Sequence, residues 1–293
     1  MTMLTFSSIL ANSLVLTGTY ILLSLGWVMI YRATEVLNFA TGQLMALGGY
    51  IFYGFLVAGH LPLIVSLPLS LVVACIYAAT IYSRVIKRLN GQPVYVVVIL
   101  TFGIAIVTEG VVAMIAGSQN LSLPPLFNNA SIGVPGGAHI SVVGIVTTLL
   151  ALLVVGTLML VLRFTSFGIQ MRAAAELPAL ATSSGINVNL IATLSWGLAG
   201  AFTALGGISY GYTNVVSPNT AQLGLQGIVP ALVGGFGSIG GTIIGSFLVA
   251  IIETTGVHYL GGNSDPALIF TFLTFFILFR PSGIYGEKEV RRV

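Results

Sequence analysis

Six long apolar runs, residues 8–30, 38–58, 61–83, 94–116, 140–162 and 188–210, constrain this chain more than any other feature. A helix needs about 20 apolar residues to cross the hydrocarbon core of a bilayer, whereas a barrel strand needs about ten that alternate. These runs are long and do not alternate, so each is predicted to be a transmembrane helix. A Gly-rich stretch over residues 222–256 and a final apolar run over 267–279 follow. Only 6% of the residues are charged and 56% are hydrophobic, against roughly 25% charged in soluble domains. Coiled-coil, collagen-like, disulfide-rich and disordered classes are excluded, as is a soluble enzyme of ordinary composition. The expectation is an all-α integral membrane protein of about eight membrane segments, forming a single domain over residues 1–293.

The few basic residues set its orientation. Arg84, Lys87 and Arg88 follow the third run, Arg163 and Arg172 the fifth, and Arg280, Lys288, Arg291 and Arg292 the last. By the positive-inside rule these loops face the cytoplasm, leaving the N-terminus outside and the C-terminus inside. The first basic residue is Arg32, and a secretory signal would carry positive charge before its apolar core. The first run is therefore expected to stay as a permanent span. The net charge of +3 is the surplus such loops supply, and no nucleic-acid partner is expected. Residues 117–139, with Pro124, Pro125, Asn128 and Asn129 and no charge, suit the outer face.

This orientation requires the segment 222–256 to begin and end outside. At about 1.5 Å per residue it is marginal for two full crossings and a turn. A re-entrant pair of shorter helices is predicted, broken at Gly234-Gly235-Phe236-Gly237-Ser238 at membrane depth, where protein or water must shelter the open backbone. The alternative, one long tilted span, would contradict the basic C-terminal tail.

Most of the 36 glycines read as packing positions. Gly237, Gly241 and Gly245, like Gly207 and Gly211, have the four-residue spacing that lets helices approach closely. The pairs Gly48-Gly49 and Gly234-Gly235 are candidates for unwound backbone, the kind transporters place around substrate. Asn38, Thr41 and Gln43 flank the first pair and Ser238 the second. These eight residues form a candidate translocation path of polar, uncharged character.

Catalytic signatures are sparse. Lys87 and Lys288 lack the glycines of a P-loop. His60, His139, His258 and Cys75 are scattered and offer no zinc-type spacing. The chain is expected to be no enzyme, to bind no metal and to carry no cofactor. Glu109 and Glu253 sit within apolar runs, where an ionisable group is a functional hypothesis by default. A proton relay is one reading of them, and a structural or interfacial role the other.

Residues 163–187 form the longest cytoplasmic loop in this scheme. Its Ala, Met, Gln and Glu content predicts a short helix over 168–176. A second begins at Pro178 and is closed by Gly185 in a left-handed turn. Such a helix pair fits a groove of a partner protein or lies on the membrane surface.

Four motifs give a resemblance. Ala179-Leu180-Ala181-Thr182-Ser183-Ser184-Gly185 is similar to the E-A-A-x-x-x-G loop of ABC importer permeases, departing from it at Ala179 and Leu180. Leu37-Asn38-Phe39-Ala40-Thr41-Gly42-Gln43 with Leu47-Gly48-Gly49-Tyr50 resembles the early signature of branched-chain amino acid permeases. The runs from Leu232 to Gly241 and Arg280-Pro281-Ser282-Gly283-Ile284-Tyr285-Gly286 resemble their late Gly-rich and C-terminal signatures. The resemblance implies a permease subunit of the bacterial or archaeal inner membrane. It would pair with a second, related permease, with two cytoplasmic ATPases that use the ATP, and with a periplasmic binding protein. Ala174, Glu176, Ala179, Leu180, Ala181 and Gly185 would couple the permease to the ATPases. Urea, short amides and aromatic acids are alternative solutes, and an ion-coupled carrier is the alternative of a different class.

Overall fold

The computed structural model describes residues 3–117, 119–262 and 265–286. Lys288, Arg291 and Arg292, part of the basic tail invoked for orientation, lie outside the described residues.

Among the described residues, seven helices are long and apolar enough to cross a membrane. They comprise α1 (Met3–Thr34), α2 (Thr41–Tyr53, continued by a wide turn over Gly54–Ala58) and α3 (Leu63–Thr80, extended irregularly to Leu89). The others are α4 (Val94–Ala116), α5 (Val142–Phe164), α8 (Val188–Thr213) and α11 (Ile239–Leu260). Between α5 and α8 lie α6 (Ser166–Glu176) and α7 (Pro178–Ser183). Two seven-residue helices, α9 (Thr220–Gln226) and α10 (Ile228–Gly234), precede α11, and α12 (Asp265–Phe279) closes the bundle. The protein is a multi-pass helical membrane protein.

Burial does not follow hydropathy. The most apolar 18-residue stretch of the central helix, α1, is 83% buried at a mean hydropathy of 1.8, while that of α4 is 17% buried at 2.4. Helix α1 carries Ser13, Thr17, Gly18, Ser24 and Gly26, small residues that let other helices come close. Helix α4 turns Ile99, Ile106, Met114 and Ile115 outward, the side chains that acyl chains solvate best. Hydroxyls within the bundle bond back to their own helix: Ser13 donates to the Ile9 carbonyl at 2.7 Å and Thr203 to that of Ala199 at 2.8 Å. No water is needed to satisfy them.

Basic charge sorts to one end. Arg32 ends α1, Arg84, Lys87 and Arg88 end the extension of α3, Arg163 ends α5, Arg172 lies on α6, and Arg280 follows α12. A cavity lined by Tyr31, Arg32, Glu35, Arg172, Glu176 and Gly237 joins the end of α1, helix α6 and the turn before α11 at this end. His60, His139 and His258 lie at the opposite end. There the loop before α5 forms a two-stranded antiparallel ribbon, β1 (Ser131–Gly133) on β2 (His139–Ser141), a small β element in a fold whose all-α class stands. The ribbon displaces the start of α5 from residue 140 to Val142. Leu121 also pairs with Val216 as an isolated bridge.

Two further expectations are corrected. The break at residues 235–238 falls where predicted, but it lies at the charged end rather than at membrane depth: Phe236 packs on Tyr31, with ring centroids 4.6 Å apart. Helix α11 beyond it has the length of a complete span, so the broken arm is the first one, α9 and α10, which meet at Gly227. Nor is Gly48-Gly49 unwound. Helix α2 runs through it, and the irregular backbone lies earlier, over residues 35–40.

Candidate functional site

The charged end presents α6 and α7. Arg172 Nη1 donates to the Leu162 carbonyl at 2.7 Å, tying α6 to the end of α5. A Cβ on Gly168 would fall 1.9 Å from that same carbonyl, so only glycine permits the approach. Pro178 occupies the first turn of α7, as expected. Gly185 takes φ +84°, the Ile186 amide donates to the Ala181 carbonyl at 3.0 Å, and the Gly185 amide donates to that of Thr182 at 3.0 Å. This six-to-one and five-to-two pair of bonds is a Schellman cap. Of the six residues assigned to coupling, Ala174 and Ala181 are buried against the bundle, while Glu176, Ala179, Leu180 and Gly185 are exposed at the tip beside Leu177. A tip with two exposed leucines on a short, firmly capped helix pair is a shape suited to insertion into another protein.

Deeper in the bundle, residues 35–40 fold inward so that α2 starts inside it. Asn38 is fully buried. Its side-chain oxygen accepts from the Ala40 amide at 3.1 Å and its carbonyl from the Thr41 hydroxyl at 2.7 Å. The Phe39 amide donates to Thr101 Oγ1 at 3.1 Å, and its ring stacks on Phe102 at 4.4 Å. Across from this start lies α9. A Cβ on Gly42 would meet the Ala221 carbonyl at 2.3 Å, and one on Gly224 would meet Gly42 Cα at 2.7 Å. Trp27 Nε1 donates to the Gly224 carbonyl at 3.2 Å, and Gly227 abuts Leu23. Leu23 is eleven residues, or about 16 Å, from the end of α1. Trp27, whose ring also packs edge-on against Phe39 at 5.7 Å, thus joins the irregular lead-in of α2 to α9 inside the protein, where protein encloses the open backbone.

The structure separates the two halves of the candidate path. Asn38, Thr41, Gln43, Gly48 and Gly49 belong to this inner junction. There Gln43 Nε2 donates to Glu109 Oε2 at 3.1 Å, and Gly48 packs on Ala204. Gly234, Gly235 and Ser238 lie instead at the charged end. Ser238 Oγ accepts from the Gly241 amide at 3.0 Å, capping α11. The Gly-rich and C-terminal signatures bind each other: the Ile284 amide donates to the Val233 carbonyl at 2.9 Å and the Tyr285 amide to that of Gly234 at 3.1 Å. Gly235 and Gly283, both with positive φ, approach closely enough that a Cβ on Gly283 would lie 2.6 Å from Gly235 Cα.

Sequence reading missed the opposite end. A cleft of about 760 Å³ opens there among α1, α8, α11 and the ribbon, and a second of about 340 Å³ reaches α9. Both touch Leu16, Tyr210, Asn214 and Glu253. The only sequence signal for them was an acid within an apolar run.

Apolar helices long enough to cross a membrane, with irregular backbone among them and a capped helix pair at the charged end, define a multi-pass membrane protein. The profile of the family described as "Branched-chain amino acid transport system / permease component" matches residues 9–279, and the chain belongs to that family. It is 28% identical to the high-affinity branched-chain amino acid transport permease LivH of Escherichia coli K12 over 96% of each chain. It is also 28% identical to BraD of Pseudomonas aeruginosa over 97% of each. With a probable LivH of Methanocaldococcus jannaschii it shares 31% over 97% of this chain and 95% of the relative. No solved structure shows a significant match to this chain.

Proposed function

We propose that the chain is the transmembrane subunit of an ABC importer in a bacterial or archaeal inner membrane, moving branched-chain or other hydrophobic amino acids inward. The positive-inside rule makes the charged end cytoplasmic, with the N-terminus outside and the C-terminus inside. Helices α6 and α7 then face the cytosol, where two ATPase subunits grip the tip around Glu176, Ala179, Leu180 and Gly185. A second, related permease completes the conduit, and a periplasmic binding protein delivers solute to the other end. Binding and hydrolysis of ATP by the partners favour two conformations in turn, and the free energy of transport comes from that differential binding. The observation that carries this reading is the capped helix pair at the charged end, in a chain related along its whole length to branched-chain amino acid permeases.

Co-expression with the ATPases, the second permease and the binding protein tests it. Leucine uptake should require all of them, and Gly185→Trp should abolish uptake while leaving ATP hydrolysis and membrane insertion intact. Uptake that urea competes for and leucine does not would replace amino acids by small amides as the cargo. Flux through the chain alone, driven by an ion gradient, would replace the whole mechanism.

A further inference from the structure

We infer that the outward face of α4 around Glu109 packs against a different membrane-spanning chain, one that presents a basic side chain to this acid within the membrane. The inference rests on the permease reading above and locates the surface that its second, related permease covers. Helix α4 buries Val97, Thr101 and Thr108 toward the bundle. There the Phe39 amide donates to Thr101 Oγ1, and the hydroxyls of Thr108 and Tyr77 meet at 2.6 Å. Ile99, Phe102, Gly103, Ile106, Glu109 and Gly110 point away from the bundle and are exposed. At 3.6 residues per turn they form one stripe, about a third of the helix circumference wide.

Lipid does not suit this stripe. About 10 Å of helix separates Glu109 from the end of α4 at Ala116, more than a glutamate side chain spans. Gln43 Nε2 gives Glu109 Oε2 a hydrogen bond at 3.1 Å, whereas an ionised carboxylate has about four acceptor positions. Acids within a membrane are costly and pair with other groups inside a bundle, yet α4 turns this one outward. The glycines agree. Gly103 and Gly110 lie about two turns apart, and a Cβ at either would meet nothing within 4 Å. Inside the bundle, Gly42, Gly48 and Gly224 are each met by close backbone. A glycine within a helix costs about 1 kcal/mol relative to alanine, which close approach of another helix offsets.

Charge selects the partner. A second copy related by a two-fold axis along the membrane normal would set each residue against others at its own depth. Among the described residues every arginine and lysine lies at the charged end, and about 22 Å of α4 separates that end from Glu109. A second copy would bring none of them to the acid, and near the axis it would bring Glu109 itself. A related chain with a basic side chain at this depth completes the carboxylate through a charge-assisted hydrogen bond.

The test is photo-crosslinking in membranes that hold the complete transporter, with p-benzoylphenylalanine in place of Ile106. Irradiation should join this chain to the second permease, at a span that carries a basic residue. Adding Glu109→Gln should lower the yield of that adduct about tenfold or more, with membrane insertion of the chain unchanged. Adducts with lipid alone, with a second copy of this chain or with a span lacking a basic residue overturn the inference, even where the Glu109→Gln variant fails to insert. So does an inserted Glu109→Gln variant with an undiminished adduct yield. In each of these cases, leucine uptake that requires the second permease leaves the permease reading standing. Leucine uptake by this chain in proteoliposomes without a second permease overturns both.

Discussion

Gly48-Gly49 and Gly234-Gly235 are the same dipeptide in two apolar segments, yet α2 continues through the first while α10 ends at the second. The difference lies in what each backbone meets. A Cβ on Gly48 would sit 2.4 Å from Ala204 Cα, so the missing side chain is spent on bringing α2 against α8. The helix there keeps every backbone bond. At Gly235 the freed carbonyls of Val233 and Gly234 find the amides of Ile284 and Tyr285, and Ser238 opens the next helix. Glycine permits a break, but one forms within the packed bundle only where other donors satisfy the opened backbone.

Substitutions separate these two uses of glycine. The largest effect is expected from Gly48→Leu, because the clash is with backbone and α2 must leave α8. A loss of about 3 kcal/mol or more should remove the monodisperse species on size exclusion in detergent, and a normal profile would break the comparison. Gly235→Val comes next. It combines the left-handed strain of φ +97°, about 1–2 kcal/mol, with crowding against Gly286. Melting should fall, and hydrogen exchange at the Ile284 and Tyr285 amides should rise selectively. Gly185→Ala shares the positive φ but has open space around it, so strain acts alone: the cost is about 1–2 kcal/mol, with a smaller drop in melting temperature than Gly235→Val. Ser238→Ala should cost about 1 kcal/mol through the lost cap, read as faster exchange in the first turn of α11 alone.

Local signals were legible wherever the chain itself supplies the chemistry. The apolar runs marked the long helices to within a few residues at most ends. Pro178 and Gly185 marked α7, because a fixed φ and a left-handed turn are properties of single residues. The break at 235–238 was visible for the same reason. The depth of that break was not, since it depends on the docking of residues 280–286. The start of α2 at Thr41 was hidden in an apolar run, its irregular lead-in being stabilised by Thr101 on α4. Helices α9 and α10 were read together as one arm, and Tyr20, Gln226 and Glu253, far apart in sequence, gave no sign of meeting.

Length, hydropathy and the sparse basic residues by themselves determined a bundle of membrane-crossing helices, its charged end and the capped pair displayed there. Those properties follow from the transfer of each segment between water and lipid, which a single stretch of chain decides. Tertiary structure alone decided which of the apolar helices lies at the centre, how deep the backbone opens and which acid faces a cleft. In lipid, burial brings an apolar side chain little further gain, so close backbone approach and the satisfaction of polar groups by distant partners set the packing.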